Sequence, residues 1–219
     1  MSSRALSRGR ILDAALELVD EQGIGALSMR KLAARLGVEA MSLYNHVASK
    51  ADLLDGIAAR VFEEIALPDL ELPWDRRLRE LGIGAHTALN AHPDVVRLLA
   101  GEGANPRSLD ALRFLDTLMG TLLDQGMDER AAARAYRSFF GLLYGSVLVG
   151  ATETPEGTRS GHTESINAWF KRTVAAHELP HLDRALEAML DTDCVPEFAE
   201  ELDSFIRGLA ARRPSTDPQ

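Results

Sequence analysis

The chain has 219 residues, 46% of them hydrophobic and 26% charged, with a net charge of −9. That balance is that of an ordinary soluble globular protein and supports a full-sized core. No apolar run reaches the roughly 18 residues that a membrane span needs. Asp13 and Glu17 interrupt any secretory signal, and the single cysteine, Cys194, leaves no intrachain disulfide, so a cytoplasmic protein with no membrane partner is expected.

Apolar residues recur at spacings of three and four, and no strand-like alternation is present, so the chain reads as all-α. Ser7 caps a first helix carrying Ile11, Ala15 and Leu18, which ends at Gly23. Short helices are expected over Ser28–Leu36, stopped by Gly37, and over Glu39–His46. Ser49-Lys50-Ala51-Asp52 resembles a capping box opening a helix that runs through Ile65. Pro68–Pro73 reads as a connection. Beyond it, helices are expected at Trp74–Ala91, Asp94–Ala100, Arg107–Gln125, Asp128–Gly150, Glu164–His177, Leu182–Leu190 and Pro196–Ala211. Gly101–Pro106 and Ala151–His162 read as loops, and 212–219 as a disordered tail. The expected division is a head over 1–67 and a body over 68–211.

Charge is divided unevenly. The first fifty residues hold seven Lys/Arg against five Asp/Glu, a net of +2, which leaves −11 for the rest. A slightly basic head on an acidic body suits contact with phosphate at one end only.

Leu27 to Val47 meets the physical requirements of a helix-turn-helix. Two short helices that cross closely need a small residue at the contact, and Ala33 supplies it. The turn needs a left-handed residue, which Gly37 adopts without Cβ strain. Val38, Leu43 and Val47 can pack inward with Leu32 and Leu36. Ala40, Met41, Ser42, Tyr44, Asn45 and His46 are left on the outer side of the second short helix, where the major groove of DNA fits. A plain αα-hairpin with solvated basic residues is the competing interpretation.

The residues Ser28-Met-Arg-Lys-Leu-Ala-Ala-Arg-Leu-Gly-Val38, then Leu43-Tyr-x-His-Val47 and Lys50-x-x-Leu-Leu54, resemble the DNA-binding head of the TetR family, and within it the tetracycline-repressor branch. The resemblance implies an N-terminal three-helix head and a larger helical body for dimerisation and effector binding. It implies contacts to double-stranded operator DNA through Met29, Arg30, Ala40, Met41, Ser42, Tyr44, Asn45, His46 and Lys50. Arg30 suits a bidentate guanine contact, Ala40 and Met41 suit thymine methyls, and Asn45 suits adenine or phosphate. Tyr44, His46 and Lys50 suit phosphate. That branch carries Gln, Pro and Trp where this chain has Ala40, Met41 and Asn45, so a different operator is expected.

One head reads few base pairs, so a homodimer is implied. Ala131, Ala135, Ser138, Leu142, Gly145 and Val149 form a stripe of mostly small side chains, and Phe198, Leu202, Phe205 and Leu209 a second stripe. In the family such a pair of helices builds an intersubunit four-helix bundle; the alternative is that both stripes are intramolecular core. The resemblance also implies a small-molecule effector pocket, with Leu81, Ala85, Leu115, Met119, Tyr136, Phe140, Leu143 and Tyr144 as candidates, although the same residues fit plain core. The stretch Val95–Ser108 lacks the histidine with which the tetracycline-repressor branch holds magnesium, so a magnesium–tetracycline complex is not the expected effector. No cofactor is implied, and His177 and His181, separated by Pro180, are read as surface residues rather than a metal site.

Catalysis would need a nucleophile, base and orienter, or ligands at metal spacing, and no such set is legible. The expected function is a ligand-responsive transcriptional regulator, a repressor by family habit. The alternatives are a helix-turn-helix interaction scaffold without DNA, or an all-α enzyme.

Overall fold

A computed structural model describes residues 6–102, 105–150, 166–190 and 194–211. Among them are eleven α-helices and no strand: α1 (Arg8–Gln22), α2 (Met29–Leu36), α3 (Ala40–Leu43), α4 (Lys50–Glu63), α5 (Trp74–Ala91), α6 (Pro93–Arg97), α7 (Leu109–Asp124), α8 (Glu129–Gly150), α9 (Ile166–Ala176), α10 (Pro180–Leu190) and α11 (Cys194–Ala211).

Local chemistry sets the boundaries. Ser7, Ser28, Ser49 and Ser108 each accept a hydrogen bond from a backbone N–H in the first turn of the helix they precede, satisfying donors that have no intrahelical partner. Gly37 ends α2 at φ 69° and ψ 33°, the left-handed conformation. The Val38 N–H then reaches back to the Ala33 carbonyl at 3.0 Å.

Several boundaries differ from expectation. α3 is a single turn, because Tyr44 and His46 bond three residues back, to Met41 and Leu43. That tightens the chain and ends α-geometry before His46. α4 likewise ends at Glu63, with Glu64 and Ile65 bonding three residues back. α6 passes into a π-turn over Leu98–Glu102 where a loop was expected from Gly101. Pro180 opens α10 instead of preceding it; its missing N–H costs nothing in a first turn. The expected loop at 151–162 and the tail at 212–219 lie outside the described residues.

The head closes on Ile11, Ala15, Leu32, Leu43, Leu53 and Ile57, all fully buried. In the body α5 is central, with Leu78, Leu81, Ala85 and Leu89 at 0% exposure. α11 crosses it closely: a Cβ on Gly82 would lie 2.5 Å from Leu202 Cδ2, so a larger residue there would force the Leu202 side chain to move. Head and body share one continuous core. Phe62 of α4 meets Phe114 of α7 edge to face at 5.5 Å, which puts a packed contact where a flexible hinge could have been.

Candidate nucleic-acid interface and effector region

The turn at Gly37 places α3 in front of α1 and α2, and only Leu43 of α3 is buried. Met41 is 72% exposed and Tyr44 44%. Asn45, Arg30 and Lys50 are exposed, Ser42 and His46 half-buried. Met29 and Ala40 are partly buried against the head core, so they offer less surface than the expectation assigned them. Seven side chains from α2, the α3 turn and the start of α4 thus form one face, whose apolar member, Met41, stands largely in solvent.

The electrostatics of the head sort its cations into two groups. Arg35 donates to Glu21 and Glu17 at 2.7–2.9 Å, tying α2 to α1; those carboxylates hold its guanidinium firmly in the charged form. Arg8 is occupied by Asp52. Among the described residues Arg30 and Lys50 have no carboxylate partner, and both lie at the exposed edge of the α2–α4 unit. A paired cation attracts phosphate weakly, because its field is already neutralised at close range. Arg30 and Lys50 are therefore available to a polyanion, as is the exposed Lys31, whose printed side-chain partner is the neutral Gln22 amide oxygen at 3.3 Å.

Sequence reasoning missed Arg8. Its Nη1 donates to the His46 carbonyl at 3.1 Å, so a residue from α1 supports the turn that follows α3. Nothing local signals this, since the two residues are 38 positions apart.

In the body, α8 presents three faces. Ala132, Ala135, Phe139, Leu143 and Val147 are buried. Tyr136, Phe140 and Tyr144 form a row at four-residue spacing, with ring centroids 5.0 and 5.2 Å apart. Burial pushes the Tyr144 phenol well above its ordinary pKa, Tyr136 adding to the effect, so it stands as a neutral hydroxyl. Leu115 and Met119 of α7, like the aromatic row, are partly buried. Leu81, Ala85 and Leu143, expected in the same pocket, are at 0% exposure within the shared core.

The third face bears Leu142 and Gly145, half-buried, and Val149, 60% exposed. The expected dimer set divides here. Phe198, Leu202, Leu209 and Ala135 are 5% exposed or less within one subunit, because α11 packs onto α5 and α8. Only Phe205 of the α11 stripe remains partly open. A groove of about 550 Å³ runs between α8 and α11, lined by Met127, Ala131, Arg134, Ser138 and Phe205 among others.

Sequence reasoning also left His86 unassigned. It is 1% exposed, its ring lies flat on Phe198 at 4.1 Å and 8°, and Ser146 Oγ lies 3.2 Å from Nε2. Burial lowers its pKa, which keeps it neutral at the junction of α5, α8 and α11. His177 and His181 are both exposed, and no group of three or more potential metal ligands occurs among the described residues. No helix among them is long and apolar enough to cross a membrane.

Comparison with known proteins extends over both regions. Residues 11–57 match the bacterial regulatory proteins of the tetR family, and residues 67–213 match the tetracyclin repressor-like C-terminal domain. The class D tetracycline repressor protein of Escherichia coli is 31% identical over 208 residues, covering 93% of this chain and 88% of its own. The crystal structure of a possible TetR family transcriptional regulator from Streptomyces coelicolor A3(2) superposes with a TM-score of 0.79 at 32% identity, over 94% of this chain and 100% of that one. ActR from Streptomyces coelicolor, solved in complex with actinorhodin, superposes with a TM-score of 0.76 at 25% identity, over 95% and 98% of the two chains. The chain belongs to the TetR family of ligand-responsive, DNA-binding transcriptional regulators.

Proposed function

We propose that the chain is a cytoplasmic, non-enzymatic repressor that grips operator DNA as a homodimer and lets go when a largely aromatic small molecule binds its body. The observation that carries this reading is the exposed face of α3, with Met41, Tyr44 and Asn45 standing out from a closed three-helix unit between the unpaired cations Arg30 and Lys50. Arg30 and Asn45 read base edges; Tyr44, His46 and Lys50 hold phosphate and set the register. Ser42 contacts either, and Met29 and Ala40 make lesser apolar contacts.

The dimer is formed by α8 and α11, through Leu142, Gly145, Val149 and Phe205, with the 550 Å³ groove filled by the partner's helices. The effector lies against Tyr136, Phe140 and Tyr144, opposite Leu115 and Met119. Rings at these spacings favour a flat aromatic ligand, and the Tyr144 hydroxyl offers a neutral hydrogen bond. Actinorhodin, a ligand of ActR, marks one such chemistry for a similar fold. The head ends near residue 67, and α4 carries the signal: Phe62 on Phe114 couples it to α7, so displacement of α7 tilts the head.

Selection from a random duplex pool by the purified full-length protein tests this reading. A two-fold symmetric site with half-sites about one helical turn apart is expected. Failure to enrich any duplex would contradict it and favour an interaction scaffold.

A further inference from the structure

Head and body touch at a second place besides α4. His92 sits at the corner where α5 ends and α6 begins, with only 14% of its side chain exposed. Its Nδ1 lies 2.9 Å from both carboxylate oxygens of Asp20, near the end of α1 and 72 residues away. Its Nε2 lies 3.5 Å from Glu64 Oε2, at the end of α4. Two carboxylates from the head thus face opposite edges of one body imidazole. The next charged groups are Asp94 and Arg97 of α6, which pair with each other. Asp94 also accepts a hydrogen bond from the Ile24 N–H in the α1–α2 connection, at 3.3 Å.

The geometry points to His92 as a positioning residue for the operator-binding head, bridging Asp20 and Glu64 and so fixing the angle between head and body. A neutral imidazole has one N–H. It can donate to Asp20, but its bare Nε2 then meets the Glu64 carboxylate, lone pair against negative charge. Only the cation satisfies both sides. The contact therefore engages both carboxylates only when both ring nitrogens carry a proton. A head held at one angle loses less freedom when two heads meet one duplex, so the clamp strengthens operator binding by preorganisation.

This inference rests on the operator-binding reading. The test uses the full-length protein and the duplex that it selects, with affinity measured by fluorescence anisotropy from pH 5.5 to 8.5 at fixed ionic strength. H92Q is expected to bind about three- to tenfold more weakly than the wild type at pH 6, consistent with partly exposed ion pairs, and to approach it above pH 8. His46 is present in both proteins, so the ratio isolates His92. In a D20N/E64Q background, H92Q is expected to change nothing further. A ratio that is flat with pH, or tighter binding by H92Q, overturns the inference while the operator reading stands. Failure to select a duplex overturns both, and is seen before any variant is made. Should H92Q fail to fold, D20N and E64Q, whose side chains reach solvent, must each flatten the pH profile; unchanged profiles overturn the clamp.

Discussion

Arg8 and Asp52 form a two-pronged ion pair, 2.8 Å from Nη1 to Oδ2 and 2.7 Å from Nη2 to Oδ1, that joins the first turns of α1 and α4. Asp52 also accepts from the Ala48 N–H at 2.8 Å, while Ser49 Oγ accepts from the Asp52 N–H at 3.1 Å. The turn after α3 is thereby held from both sides, since Arg8 also grips the His46 carbonyl.

Hydrogen bonds from Arg8 hold the Asp52 carboxyl below its ordinary pKa, outweighing burial, which acts the other way. A carboxylate with a depressed folded-state pKa contributes stability above its ordinary value of about 3.8, and loses it as pH falls below that. Asp52→Asn should lower Tm by about 2–4 °C at pH 7, the scale of losing about 1 kcal/mol of capping and pairing in a chain of this size. The difference from wild type should shrink as pH falls below about 4. Thermal melts followed by circular dichroism check both parts.

His86 gives the opposite half of the acid limb. Its folded-state pKa lies below the ordinary histidine value, so the unfolded chain takes up the proton first and stability declines as pH drops below about 6.5. His86→Leu removes the titrating group while keeping apolar bulk against Phe198. Between pH 7 and pH 5 its Tm should fall less than that of the wild type; parallel slopes would contradict a buried neutral imidazole.

Gly145 tests the proposed dimer face. A Cβ built there meets nothing within 4 Å inside the subunit, and glycine costs a helix interior about 1 kcal/mol relative to good helix formers. Gly145→Glu should leave subunit helicity intact yet place a charge in the α8 interface. Sedimentation velocity is expected to show a monomer with native helicity. A persisting dimer would place the interface elsewhere.

Arg30 and Lys50 should fail differently. Arg30→Ala is expected to cost about 1–3 kcal/mol on the selected operator and much less on a scrambled duplex, because a base contact is lost. Lys50→Ala should weaken both duplexes alike and reduce the salt slope by about one ion. Titration of the two duplexes by each variant distinguishes the roles; equal losses for Arg30→Ala would reassign it to phosphate.

Much of this was legible in the chain because its signals are local. Ser7, Ser28 and Ser49 mark helix starts, Gly37 marks the turn, and three- and four-residue spacing marks the buried faces. The exposure of α3 and the turn after it followed from the shortage of apolar residues between Ala40 and His46. What stayed hidden depends on partners far apart in sequence: Arg8 on His46, His92 on Asp20, and His86 on Phe198. The stripe Phe198–Leu202–Phe205–Leu209 shows the limit of periodicity. Spacing reveals that a face is apolar, but whether it covers its own α5 or a second subunit depends on where α11 docks. Here Phe198, Leu202 and Leu209 pack into the chain's own core, while Phe205 stays partly open.

The most direct measurement is the salt dependence and stoichiometry of wild-type binding to the selected duplex. Two chains per duplex are expected, with affinity falling steeply between 50 and 200 mM salt, by about 10³ or more if six or more phosphates are neutralised. Salt-insensitive binding, or one chain per duplex, would contradict a paired-head regulator built on the face between Arg30 and Lys50.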